Sequence, residues 1–140
     1  MYRKISMLLV GLAVSAASLM LAGSASAATS PTLGCQVISN HTGQSGGFRI
    51  GRCGTRFADS SYVLDFGVAN GHDFYSWSTP SGVPVVGGCN TSTPFCDLVV
   101  RAKPADQDFT VQVVTNDAFG TPVTLSATAS IPAVCGKFFC

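Results

Sequence analysis

Six cysteines, all beyond residue 34, constrain this chain more than any other feature: Cys35, Cys53, Cys89, Cys96, Cys135 and Cys140. Their role depends on the compartment, and the first residues bear on that. The segment "MYRKISMLLVGLAVSAASLMLAGSASA" starts with Arg3 and Lys4 and runs apolar from about Met7 to Ala22. It closes on "GSASA", with small residues at Ala25 and Ala27. This is the pattern of a secretory signal peptide over residues 1–27, cleaved after Ala27. A membrane anchor is the rival reading, but the apolar run is short for a span and no second one follows. No membrane insertion is therefore expected after cleavage. The expected location is secreted, extracellular or periplasmic. An even cysteine count in an exported chain implies three disulfides. Structural zinc is the alternative, but there is no CxxC pair and the only histidines are His41 and His72.

Cleavage leaves residues 28–140, a length that suits one domain with a modest core. The expected layout is a short tail over 28–34 and a single domain over 35–140. Six cysteines allow fifteen pairings. Cys89 and Cys96 flank "NTSTPF" between two strand-like runs, which puts them at the mouth of one turn. The remaining four then pair most simply as 35–53 and 135–140. The alternative ties the tail to the body through 35–135 or 53–140.

Short runs rich in β-formers fill the rest, at 35–39, 48–53, 61–68, 73–79, 83–89, 95–102, 109–116 and 123–131. Connections such as "NHTGQSGG", "ANGH", "NTSTP" and "DAFGTP" carry turn residues. Several runs alternate with a period of two. Tyr62, Leu64 and Phe66 share one face; so do Leu98 and Val100, and Val111 and Val113. Such patterning predicts half-buried antiparallel strands. The expected fold class is all-β: an antiparallel β-sandwich of about eight short strands, stapled by disulfides. Asn70-Gly71 predicts a two-residue hairpin pairing 61–68 with 73–79. It sets Tyr75 and Trp77 on one face of a strand, with Trp77, the sole tryptophan, as the expected centre of the core.

Chemistry is sparse. Without Arg3 and Lys4, six basic residues face seven aspartates, and there is no glutamate. No basic stripe for nucleic acid and no polybasic patch for anionic lipid is expected. His72-Asp73 beside the Asn-Gly turn lacks a nucleophile setting such as GxSxG. Paired carboxylates for glycoside hydrolysis are poorly served by seven scattered aspartates. Asp106, Asp108 and Asp117 are a weak Ca²⁺ candidate, with a polar turn as the plainer reading. No other metal and no cofactor is expected. Asn40-His-Thr42 and Asn90-Thr-Ser92 match the N-glycosylation pattern, which matters only in a eukaryotic secretory host.

"Tyr75-Ser-Trp77", the turn at Gly82, "Cys96-Asp-Leu98-Val-Val100" and "Phe109-Thr-Val111-Gln-Val113" resemble the second half of bacterial secreted immunoglobulin-like modules. Among named families, these stretches resemble the polycystic-kidney-disease-type repeats. The likeness covers roughly residues 62–131. It departs where "TPSGVP" replaces the usual Asp-Gly-rich turn after the Trp strand. The resemblance implies an immunoglobulin-like fold and an adhesive, spacer or recognition role, and it carries no catalytic residue across. The expected function is a non-catalytic binding or adhesion module whose partner is an extracellular protein or glycan. A small secreted inhibitor or toxin presenting the 89–96 loop is the alternative, and a small secreted hydrolase is a third.

Overall fold

The computed structural model describes residues 29–140; the signal-peptide reading lies outside the described residues. Every regular element among them is a strand. They are β1 (Thr32–Ser39), β2 (Arg49–Ile50), β3 (Arg52–Gly54), β4 (Ser61–Ala69), β5 (His72–Ser78), β6 (Val85–Gly88), β7 (Phe95–Arg101), β8 (Gln107–Asn116), β9 (Pro122–Ile131), β10 (Val134–Cys135) and β11 (Phe138–Phe139). A five-stranded sheet runs β2-β1-β4-β7-β6, a four-stranded sheet runs β3-β9-β8-β5, and β10 and β11 form a small hairpin. All neighbours are antiparallel except β3 and β9, which are parallel.

The alternation read from sequence decides which residues meet. Tyr62, Leu64 and Phe66 of β4, and Leu98 and Val100 of β7, are buried from the five-stranded sheet. Val111 and Val113 of β8, with Ala127, Ala129 and Ile131 of β9, are buried from the four-stranded sheet. They form one cluster, so the two sheets share a single core. Tyr62 is fully enclosed, yet its hydroxyl is satisfied. It donates to the Phe57 carbonyl at 2.9 Å and accepts from the Asp59 amide at 2.7 Å.

The cysteines pair as 35–53, 89–96 and 135–140, with none free. Three disulfides are consistent with an exported protein.

Four expectations are corrected. First, β4 and β5 do not pair. Both edges of β4 are taken, by β1 and β7, so β5 joins the other sheet beside β8. Asn70 takes a positive φ of 58° but Gly71 does not join it, as a type I′ turn would need. Gly71 serves a close approach instead: a Cβ there would sit 2.8 Å from Val68 and 2.9 Å from Thr115.

Second, Trp77 and Tyr75 are half-buried and pack against the core cluster rather than within it. β5 is the edge strand of its sheet, so a large indole there is covered on one side only. Third, the run 48–53 is two strands, broken at Gly51, whose φ is 77° and after which the chain passes from the five-stranded sheet to the four-stranded one. Fourth, β1 begins at Thr32, inside the expected tail, and buries Leu33; β10 and β11, which lie beyond the last of the eight expected runs, pair at the C-terminal end.

These positions predict an order of cost. Leu64→Ala removes a fully enclosed side chain and costs about 3 kcal/mol. Trp77→Ala trims the rim and costs about 1–2 kcal/mol, mainly lost area and one hydrogen bond. Urea melts measure both; Trp77→Ala as the more damaging variant contradicts this placement.

Candidate functional site

Strand register gathers three connections at one end of the molecule. Gly67 of β4 lies opposite Phe95 of β7, and His72 of β5 opposite Asn116 of β8, which lies opposite Pro122 of β9. The turn after β4, the 89–94 loop and the 117–121 loop therefore share this end. The three non-glycine residues with positive φ, Asn70, Asp73 and Cys89, also lie here. Unfavourable backbone is tolerated where the surroundings fix it, and it concentrates at functional sites.

The 89–96 loop is held on several sides. The disulfide closes its mouth with the two Cα atoms 4.2 Å apart, and the Cys89 amide donates to the Phe95 carbonyl at 2.9 Å. The Asn90 carboxamide oxygen accepts from the Ser92 amide at 3.0 Å. From outside, the Trp77 indole N–H donates to the Thr93 carbonyl at 3.1 Å, and the Tyr75 amide to the Thr91 carbonyl at 3.1 Å. Trp77 thus ties the edge strand of one sheet to a loop of the other.

The 117–121 loop is closed by one carboxylate. Asp117 Oδ1 accepts from the amides of Phe119 at 2.8 Å and Thr121 at 2.9 Å. The Asp117 amide donates to the Thr121 carbonyl at 2.9 Å. Phe119 stands on this turn 83% exposed, the most exposed large apolar residue among those described. Sequence reasoning passed over Phe119. The available signal was an aromatic inside "DAFGTP", flanked by turn residues and outside every alternating run.

The Ca²⁺ candidate does not assemble. Asp106 and Asp108 lie at the start of β8 and Asp117 beyond its end, about 30 Å away at strand rise. Their carboxylates are otherwise engaged: Asp106 by the Ala133 amide, Asp108 by Arg52 at 3.0 Å, Asp117 by its own turn. Among the described residues no group of three or more His, Cys or Asp side chains could hold a metal ion.

At the opposite end Ser39, His41 and Asp59 bring together triad residue types, wired in the wrong order. His41 Nδ1 lies 2.6 Å from Asp59 Oδ1, but the Ser39 hydroxyl also donates to Asp59 rather than to His41. Ser39 is buried and its hydroxyl is not bonded to the His41 imidazole. Burial alone would raise the Asp59 pKa. Hydrogen bonds from Ser39, His41 and Ser60 outweigh it and hold this carboxyl far below the usual range. His72, the other histidine, is exposed, and its carbonyl accepts from the Thr115 hydroxyl at 3.2 Å.

On the five-stranded sheet Asp65 and Asp97 are cross-strand partners, and Gln36 donates to Asp65 at 2.7 Å. Burial, then the Asp65 charge, pushes the Asp97 pKa up to about 6. Searches against family models, curated proteins and solved structures gave no match to this chain.

The Asp97 shift has a signed consequence. A folded pKa above the unfolded one means that the folded state binds the proton more tightly. The resulting stabilisation is full below the ordinary carboxyl range and is lost as pH rises through about 6. The opposite dependence from Asp59 falls below that window, because its pKa is lowered. Chemical denaturation across the window is expected to show stability declining with pH, and Asp97→Asn is expected to flatten the decline. An unchanged slope in Asp97→Asn contradicts the assignment.

Proposed function

We propose that this protein is an exported, non-catalytic recognition module of immunoglobulin-like architecture that binds an extracellular protein or glycan through its loop end. The strand orders support the architecture: β1-β4-β7-β6 in one sheet and β3-β9-β8-β5 in the other, with β3 parallel to β9. That arrangement agrees with the resemblance carried by residues 62–131.

One observation carries the functional reading: Phe119 is held out to solvent on a turn already closed by hydrogen bonds. An aromatic anchor on a fixed loop gains contact area without the ordering cost a mobile loop incurs on binding. Polar residues Asn90, Thr91 and Ser92 stand on another loop at the same end, and Ser92 there donates to the Asn90 side chain. Ser39, His41 and Asp59 are bonded as a structural knot, which supports a role without turnover.

The stapled 89–96 loop also favours a second reading, a protease inhibitor, since such inhibitors present a rigid loop. A protease panel separates the two: an inhibitor slows one enzyme at stoichiometric dose, whereas a recognition module slows none.

The direct test is retention on glycan arrays and on isolated cell walls, for the parent and for Phe119→Ala. The parent is expected to be retained and Phe119→Ala to lose at least about tenfold in affinity, typical of an anchor residue. Its unfolding free energy is expected to stay within about 0.5 kcal/mol, as for an exposed site. Equal retention of parent and variant, or retention of neither, sinks the proposal.

A further inference from the structure

The opposite end of the molecule holds a cleft of about 570 Å³. Its lining comes from the ends of β4, β7 and β8 and from the 82–84 segment. Val83, Val100 and Phe109 supply apolar surface, and Arg101 and Lys103 supply charge. Sites for small organic molecules have this size and combine an apolar wall with a few polar groups.

Charge fixes the kind of ligand. No carboxylate lines the cleft. Among the described residues neither Arg101 nor Lys103 has an acidic partner within salt-bridge distance; the ion pairs are His41–Asp59 and Arg52–Asp108. The nearest acids in sequence to β8's start are occupied, Asp106 by the Ala133 amide and Asp108 by Arg52. Two cations without a counter-charge, lining the same cleft as a partly buried apolar wall, match an anion that carries an apolar body.

The walls are also fixed. The Ala102 amide donates to the Ser60 carbonyl at 3.0 Å, and the Lys103 carbonyl accepts from the Val134 amide at 2.8 Å. On the other side the Val99 amide donates to the Pro84 carbonyl at 3.0 Å. A ligand would enter a shape that exists before it arrives, which lowers the ordering cost of binding.

We propose that this cleft binds a small anionic amphiphile, with a carboxylate or sulfate head at Arg101 and Lys103 and an apolar body over Val83, Val100 and Phe109. The site is separate from the loop end, so the proposal stands or falls independently of the recognition reading.

Amide NMR titrations of the protein test it, with decanoate, decyltrimethylammonium and acetate as probes below micelle-forming concentration. Decanoate is expected to give saturable shifts at residues 82–83, 99–103 and 107–109, with a Kd below about 1 mM. Acetate lacks the body and decyltrimethylammonium the right charge; each is expected to bind at least about tenfold more weakly. Arg101→Gln with Lys103→Gln is expected to weaken decanoate by about tenfold or more, whereas Arg56→Gln, outside the cleft, leaves it unchanged. Both variants alter exposed charges, and their spectra report directly that they fold. Three results overturn the proposal: no saturable shift, equal binding of the cationic probe, or shifts centred away from the cleft.

Discussion

One disulfide cross-links the two large sheets, the Cys35–Cys53 bridge. Cys35 lies on β1 of the five-stranded sheet and Cys53 on β3 of the four-stranded sheet, and both are buried. The other two bridges act within local units: 89–96 at the β6–β7 connection, 135–140 at the terminal hairpin. Between Cys35 and Cys53 the chain turns back as β2 and then changes sheet at Gly51. The Gly51 amide donates to the Leu33 carbonyl of β1 at 3.0 Å, and its carbonyl accepts from the Thr128 amide of β9 at 2.8 Å. One glycine thus bonds to both sheets beside the disulfide. Closing a loop of this length removes about 3 kcal/mol of unfolded-state entropy in the chain-entropy model. For a domain of this size that is a large share of net stability.

With one seam closed in this way, the two ends are left to differ. At one end, backbone hydrogen bonds and a second disulfide hold irregular loops that expose Phe119. At the other, the Asp59 carboxylate collects Ser39, His41 and Ser60 and anchors the segment over Tyr62. The Ser39 and His41 side chains are there both bonded to the Asp59 carboxylate. Groups free to meet a partner include the exposed Phe119 and the unpaired cations of the cleft.

The core was legible in sequence because period-2 burial leaves a local trace. Tyr62, Leu64, Phe66, Leu98, Val100, Val111 and Val113 could be assigned to the inside from alternation alone, and all are buried. The 89–96 pairing follows from the short turn between two runs, whereas 35–53 with 135–140 is the simpler of two alternatives that the sequence leaves open. What failed was non-local. Asn70-Gly71 signals a tight turn, but nothing near it reveals that both edges of β4 are already occupied by strands some thirty residues away on either side. Trp77 was misplaced for the same reason, since an edge strand is defined by a neighbour it lacks. The aromatic in the 117–121 turn is visible in sequence but its exposure is not, and neither is the Arg101–Lys103 cleft, because exposure at a loop tip, or convergence of strand ends, depends on the finished fold.

Native-state hydrogen exchange on paired cysteine variants tests the central role of the inter-sheet bridge most directly. Cys35→Ala with Cys53→Ala is expected to lose protection at residues 52–54 and 128–130, where β3 meets β9, and to lower global stability by about 3 kcal/mol. Cys135→Ala with Cys140→Ala is expected to leave protection there unchanged. Retained protection at the β3–β9 pairing without the 35–53 bridge, or a larger loss on removing 135–140, would contradict the account.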